Sequence, residues 1–259
     1  MNPGWIEPDW PAPAGVRAVS TLRSGGISQG PYASLNLGNH VGDDEAAVAG
    51  NRQRLSLALT LPSEPVWLNQ VHGQGVVRIG PTERLAPVPT ADAAFTGERG
   101  VVCAVMTADC LPVLLCSADG SSVAAVHAGW RGLVGGVIEA TLEQMDDRPT
   151  LAWLGPALGP EAFEVGDEVR QAFLAKNPAH AEFFRARPIS GKWLADLYGL
   201  ARTVLQTQGI TALYGGQHCT ASEPEHFFSY RRDGGVTGRM ASLIWRFPDQ
   251  PGFIPDSRD

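Results

Sequence analysis

Residues 101–136 read VVCAVMTADCLPVLLCSADGSSVAAVHAGWRGLVGG, and their pattern decides the fold. Three apolar runs, 101–106, 111–116 and 123–126, are separated by short polar breaks. Each is too short for a helix and is rich in β-formers or bounded by turn residues, so each reads as a buried strand. Reactive side chains stand where these runs meet. Cys110 follows Thr-Ala-Asp, and His127 closes the third run just before Ala-Gly-Trp-Arg-Gly. Gly129 and Gly132 permit a tight turn, and from Leu133 the string LVGGVIEATLEQM has helical apolar spacing. The stretch predicts strand, turn and helix, with Arg131 at the helix start. Such a junction commonly carries binding groups.

Working outward, residues 1–15 are proline-rich and read as a flexible arm, and 16–259 as a single domain. A strand is expected at 16–23, then an irregular polar stretch at 28–40 of a length that is often functional. Asp43 or Asp44 caps a helix to about Thr60. Segments 65–71 and 75–79 are expected to pair as strands around His72, followed by a proline-rich loop at 85–90. Beyond the central stretch come strands at 151–154 and 163–165 and a helix at 167–176. An amphipathic helix at 193–208, ended by Gly209, precedes closing strands at 212–214, 227–231 and 242–247. Strands and helices mix without a βαβ rhythm, so the fold class is α+β with mixed sheets.

The chain has 259 residues, 44% of them apolar and only 18% charged, enough for a sizeable core. Its net charge of −7 is spread out, and no basic face speaks for nucleic-acid binding. The four cysteines include no CxxC, so reduced thiols in a cytoplasmic protein are the simpler expectation. The N-terminus has no signal-peptide pattern, and no apolar run approaches the ~20 residues of a membrane span.

His72, Cys110 and His127 each stand at the end of an expected strand beside residues that allow a turn. Converging, they would hold zinc with its fourth position open, as in a catalytic site. The alternatives at this level are a turn histidine, a small buried thiol and a satisfied core histidine.

Longer strings add to this reading. NQVHG (69–73), TADCLPVLL (107–115), HAGWRG (127–132) and FFSYRRDGGVTGRMAS (227–242) resemble the YfiH-like family, whose members have been called laccase-domain proteins and purine nucleoside phosphorylases. TLRSGGIS (21–28), NLG (36–38), NR (51–52) and GPALGPEAFEVGDEV (155–169) extend the match over about residues 16–246. The resemblance implies two packed β-sheets flanked by helices, similar to a family of cysteine-hydrolase toxins. It implies that His72, Cys110 and His127 bind zinc (Zn2+), a site that would also accept copper (Cu2+). It implies phosphorolysis of purine nucleosides to free base and ribose 1-phosphate, with deamination of adenosine alongside. A four-copper oxidase needs about ten histidines, many in His-x-His pairs, whereas this chain has six histidines and no such pair.

On this reading zinc would activate water for the deamination. Asp109 would shuttle the proton or else orient a ligand histidine. The H-x-E and P-C-x-x-C strings of cytidine-type deaminases are absent. Arg131 at the helix start is a natural candidate for phosphate; Arg23, Arg52, Arg231 and Arg239 lie in other family-like strings and could share the task, with Arg52 and Asn36 favoured. Gln70, inside NQVHG, joins the substrate-binding set. His218 and Cys219 are taken as structural or pocket-lining. Two rival readings remain open. One is an amidase acting on peptidoglycan precursors, with Cys110 as nucleophile and His127 as base. The other is a binding module with a structural zinc.

Overall fold

In a computed structural model that describes residues 4–80, 87–145 and 147–248, the elements follow one another as β1 (Trp5–Ile6), β2 (Val16–Thr21), α1 (Glu45–Leu59), β3 (Val76–Arg78) and β4 (Ala93–Thr96). Next come β5 (Val102–Thr107), β6 (Leu111–Ser117), β7 (Val123–Ala128), α2 (Trp130–Gly135), α3 (Val137–Gln144) and β8 (Pro149–Leu154). The chain continues through β9 (Glu164–Gly166), α4 (Asp167–Lys176), β10 (Phe184–Ala186) and β11 (Lys192–Ala195). It closes with α5 (Leu197–Thr207), β12 (Ala212–Gly215) and β13 (Met240–Arg246). A six-stranded mixed sheet runs β12-β8-β6-β7-β4-β3, and a four-stranded antiparallel sheet runs β1-β2-β13-β5. A third, three-stranded sheet, β10-β11-β9, was not legible beforehand.

Alternation along the central strands explains their continuous apolar runs. Leu111, Val113 and Leu115 of β6, with Ala124, Val126 and Ala128 of β7, pack against Ile138, Phe173 and Leu200 of α3, α4 and α5. Leu114, Cys116, Val123 and Ala125 point the other way, onto Val16, Cys103, Val105 and Ile244 of the second sheet. Both faces are buried, so neither can be polar. The outer face of the second sheet is covered by Leu55 and Leu59 of α1, packed on Val102, Leu243 and Trp245.

The three central strands, the Asp44-capped helix and the helix at 167–176 fall where expected. Five expectations are corrected. Part of the N-terminal arm, Trp5–Ile6, pairs with Thr21 and Ser20 of β2. Segments 65–71 and 75–79 do not pair with each other, because the chain turns at His72 (φ 60°) and β3 joins β4 instead. The helix expected from Leu133 starts earlier, at Trp130, and breaks at Gly136, whose φ of 106° makes it a C-cap. Residues 192–195 form β11 rather than a helix start, because the Asp196 carboxylate accepts from Gly199 N–H and caps α5 there. Residues 227–229 are irregular and 230–231 enter a turn, not a strand, since Arg232 ties down the carbonyls of Phe227 and Thr220. Residues 85 and 86 of the expected proline-rich loop, 1–3 of the arm and 249–259 lie outside the described residues. No described helix is long and apolar enough to cross a membrane.

Candidate metal centre

The sheet register brings the chemistry together. In β4 and β7 the residues facing the second sheet are Ala94 and the pair Val123 and Ala125. Two residues further along that alternation are Asp92 and His127. Pro112 opposes His127 in the β6–β7 register, and continuing the β6 alternation backwards reaches Cys110. Three polar side chains therefore emerge on one side, at the end of the strands where the sheets no longer cover each other. The result is a cluster of His72, Cys110 and His127 whose ligand atoms all lie within 4.8 Å of one another. The imidazole rings of His72 and His127 stand nearly perpendicular, with centroids 4.8 Å apart. His127 is buried, Cys110 half-buried and His72 exposed, so the centre opens to solvent on the His72 side.

Asp92 organises this cluster, although the sequence reading passed over it. Its carboxylate is fully buried. Oδ1 accepts from His127 Nδ1 at 2.8 Å and from the His72 N–H at 2.9 Å. Oδ2 accepts from Gly73 N–H at 2.7 Å and Val71 N–H at 3.3 Å. One side chain thus fixes the left-handed turn that presents His72 and also orients His127, leaving its Nε2 for the centre. Burial alone would raise the Asp92 pKa, but the bonds from His127 and the backbone outweigh it and hold the carboxyl below its usual range. The readable signal was a lone aspartate in the small-residue string ADAAF, since aspartate is almost never fully buried unless paired.

Burial also works against ionising Cys110, yet His127 and His72 overcome it and lower the thiol to about 6. In return, burial of His127 is outweighed by the Cys110 thiolate and by Asp92, which raise its pKa to about 9. The cluster therefore holds a thiolate beside an imidazolium whose proton a bound zinc would displace, leaving the thiolate and imidazole donors zinc takes. Metal-stripped protein is expected to be alkylated by iodoacetamide at Cys110 with a pH midpoint near 6, and loading with zinc should protect it. A midpoint near the ordinary thiol value would show that the histidines do not act on the sulfur.

Gly129 closes the wall. A Cβ there would stand 2.9 Å from Cys110 Sγ and 3.3 Å from His72 Cδ2. Its φ of −58° suits alanine, so the constraint is steric rather than conformational. Gly129→Ala is expected to fold normally while losing zinc about tenfold more readily to a chelator, the scale of a displaced supporting shell. Unchanged retention would mean the wall gives way.

The other expected site residues are accounted for as follows. Asp109 (φ 90°) does not touch a ligand histidine. Its oxygens accept from Thr220 Oγ1 and the Arg231 N–H, each at 2.6 Å, which anchors the loop presenting Cys110. Asn36 is fully buried; its Oδ1 accepts from Gly38 and Arg239 N–H while Nδ2 donates to Gly38 O and Asp43, so it has no group left for substrate. Gln70 is a strut: its amide donates to Met106 O and accepts from Met106 N–H, both at 2.8 Å. Arg131 is exposed and lies over Trp130 at 4.3 Å, on a helix of only six residues. Arg52 donates twice to Leu37 O and stacks on Trp67 at 4.1 Å, lining a cavity of about 710 Å³. His218 and Cys219 are bonded to Glu223 and have structural surroundings.

The sequence profile of the family described as multi-copper polyphenol oxidoreductase laccase matches residues 17–247. The chain belongs to that family. Over 243 residues it is 54% identical to the purine nucleoside phosphorylase YfiH of Escherichia coli strain K12, covering 93% of this chain and 98% of the relative. It is 51% identical over 247 residues to a purine nucleoside phosphorylase of Pseudomonas aeruginosa, covering 95% and 99%. The crystal structure of YlmD from Geobacillus stearothermophilus superimposes with a TM-score of 0.88 at 34% identity, covering 96% of this chain and 98% of that one. The multi-copper part of the family's description finds little support in this member. It has six histidines, and its described residues hold a single three-ligand cluster.

Proposed function

We propose that this protein is a zinc-dependent purine nucleoside phosphorylase that also deaminates adenosine. The observation that carries the reading is the Cys110 and two-histidine cluster, open on one side, in a chain whose close relatives bear the phosphorylase name. Phosphorolysis breaks the glycosidic C–N bond as a phosphate oxygen bonds the ribose carbon, and the purine leaves with a proton. When bound, zinc supplies a Lewis acid and neutralises developing negative charge. The chain's own part is to fix that chemistry in space. Asp92 sets both histidines, Gly129 leaves room, and Asp109 holds the Cys110 loop. Purine nucleosides and phosphate are the partners this reading assigns. Incubating the protein with adenosine, with and without phosphate, tests it. Adenine and ribose 1-phosphate should form only with phosphate, and inosine with or without it. Neither product from zinc-loaded protein would remove the reading.

Asp109 acts in this scheme by position, since both its oxygens are engaged. Asp109→Asn should lower stability by about 1–3 kcal/mol, the cost of leaving the Arg231 N–H without an acceptor, with zinc retained and adenosine turnover within tenfold of wild type. A fall of about a thousandfold at full zinc content would return Asp109 to proton transfer.

A second reading is favoured by one specific observation. Cys110, His127 and Asp92 form a nucleophile, base and orienting carboxylate in sequence. A metal-free amidase on cell-wall precursors would use that chain. His72 weighs against it, because a hydrolase needs no second imidazole on the same sulfur. Protein that holds no zinc yet turns over an amide substrate would reverse the ranking.

A further inference from the structure

We propose that Arg239 and His40, together with Arg52, form the anion subsite of this centre and take inorganic phosphate. The proposal rests on the phosphorylase reading and says where its second substrate binds.

Most arginines in the family-like strings are already committed. Arg23 donates twice to Ala33 O and once to Pro224 O, and lies over Phe228. Arg231 donates to Glu164 O and Ala162 O beside Phe163. Arg232 is held bidentately by Asp233 and also donates to Thr220 O and Phe227 O. Arg239 differs. Its Nη1 donates to Thr237 O and Gly238 O, and among the described residues no carboxylate lies within ion-pair distance of it. Nε and Nη2 carry no bond to any described residue, which leaves the face of the guanidinium that holds oxyanions bidentately.

The backbone explains why Arg239 stands beside Arg52. The extended residues 36–38 run between them. On one side the Arg239 N–H donates to Asn36 Oδ1 at 2.9 Å, and Arg239 O accepts from Leu37 N–H at 3.1 Å. The Arg239 stem lies on Gly38, where a Cβ would come within 2.8 Å of its Cγ. On the other side Arg52 Nε and Nη2 donate to Leu37 O at 3.0 and 2.8 Å. His40 follows two residues later and sits in the fields of both: burial first, then Arg239 and Arg52, disfavour its charged form. Asn36 thus serves as the spacer that sets the two cations.

This placement is costly without an anion. Burial lowers the pKa of both Arg239 and Arg52, and Glu64 offsets the charge of Arg52 only in part. His40 and Arg52 line a 710 Å³ cavity together with Glu64, Trp67, Asn69 and Met106, a volume suited to a small ligand. The cavity wall connects to the metal centre, since Gln70 ties Met106 to the NQVHG turn. Arg239 lies within electrostatic reach of Cys110 and Asp109 as well as of His40.

Calorimetric titration of the zinc-loaded full chain with inorganic phosphate tests the subsite, together with the phosphate KM at saturating adenosine. Arg239→Gln should weaken phosphate about tenfold or more, the loss of a charge-assisted bidentate contact. His40→Asn should weaken it less, and Arg131→Gln should leave it unchanged; zinc content and the adenosine KM should stay at wild-type values in all three. Adenosine 5′-monophosphate should compete poorly, whereas tight competition would assign the subsite to a nucleotide phosphoryl group and overturn the proposal. Undiminished phosphate binding in Arg239→Gln, or loss in Arg131→Gln, would also overturn it. Should Arg239→Gln not fold, Arg239→Lys with His40→Asn decides, and wild-type phosphate binding in both sinks the subsite. Phosphate binding that depends on Arg239 in a protein inert toward nucleosides would keep the subsite and reject the phosphorylase. Phosphate-dependent adenine release indifferent to Arg239 would do the reverse.

Discussion

Cys110→Ala should abolish stoichiometric zinc binding and lower nucleoside turnover by a factor on the order of 10³ or more. Losing an outer partner of a metal ligand already costs about 10–100-fold in metal affinity, and Cys110 supplies the only anionic ligand of the three. Metal analysis after dialysis and product analysis on adenosine check the two halves separately. Retained zinc with lost activity would make Cys110 a reactant rather than a ligand. The same variant should show a pH signature in metal-stripped protein. Cys110 has a folded pKa near 6, below its ordinary value near 9, so its ionisation stabilises the fold above 9 and that stability is lost as pH falls through 6. His127, raised from near 6.5 to about 9, contributes below 6.5 and loses its contribution as pH rises through 9. The thiolate–imidazolium pair therefore exists between about 6 and 9, and the gap in melting temperature between metal-stripped wild type and Cys110→Ala should be widest there. A gap independent of pH would show that the two groups are not paired.

How much of this was legible in the sequence divides along physical lines. The runs at 101–106, 111–116 and 123–126 identified the central strands because both their faces are buried, which removes every polar position from the string. That His72, Cys110 and His127 would come together was legible because they border those strands and sit in long family-like strings. What failed was local competition. The amphipathic spacing of 193–208 continues through Trp193, but Asp196 offers a cap and Trp193 donates instead to Asp167 across the small sheet. Residues 227–231 look like a strand because Phe227 and Phe228 are apolar, yet both are buried from irregular chain leading into a turn that Arg232 and Asp233 stitch together. Asn36 lies in a motif beside the site and was read as a ligand-binding group. Its buried amide is instead spent on positioning Gly38 and Arg239. Strings of similar residues mark a site's neighbourhood; only the hydrogen-bond partners separate the groups that meet a ligand from those that hold them in place.

Asp92 is the sharpest case of that distinction, and its removal carries the second large effect. Asp92→Asn keeps the size of the side chain but removes the charge that pairs with His127. One of its two oxygens is replaced by an amide donor facing N–H groups. If the amide nitrogen takes the Oδ2 place, Gly73 and Val71 lose their acceptor; if it takes the Oδ1 place, His72 N–H and His127 lose theirs. Either arrangement strands two donors, the backbone ones part-buried, and breaking the buried charged pair with His127 costs about 3–5 kcal/mol. Zinc affinity should fall about 10–100-fold, because His127 is no longer held in the tautomer that leaves Nε2 free and the His72 turn loses its anchor. Denaturant unfolding with and without zinc, alongside metal titration, measures both losses. The discriminating observation is their ratio under zinc saturation. If Asp92 acts through the histidines, excess zinc should restore part of the stability and part of the turnover together, since binding to the folded state pulls the equilibrium back. Turnover that stays lost while zinc is fully bound and the fold is restored would place Asp92 in the reaction itself.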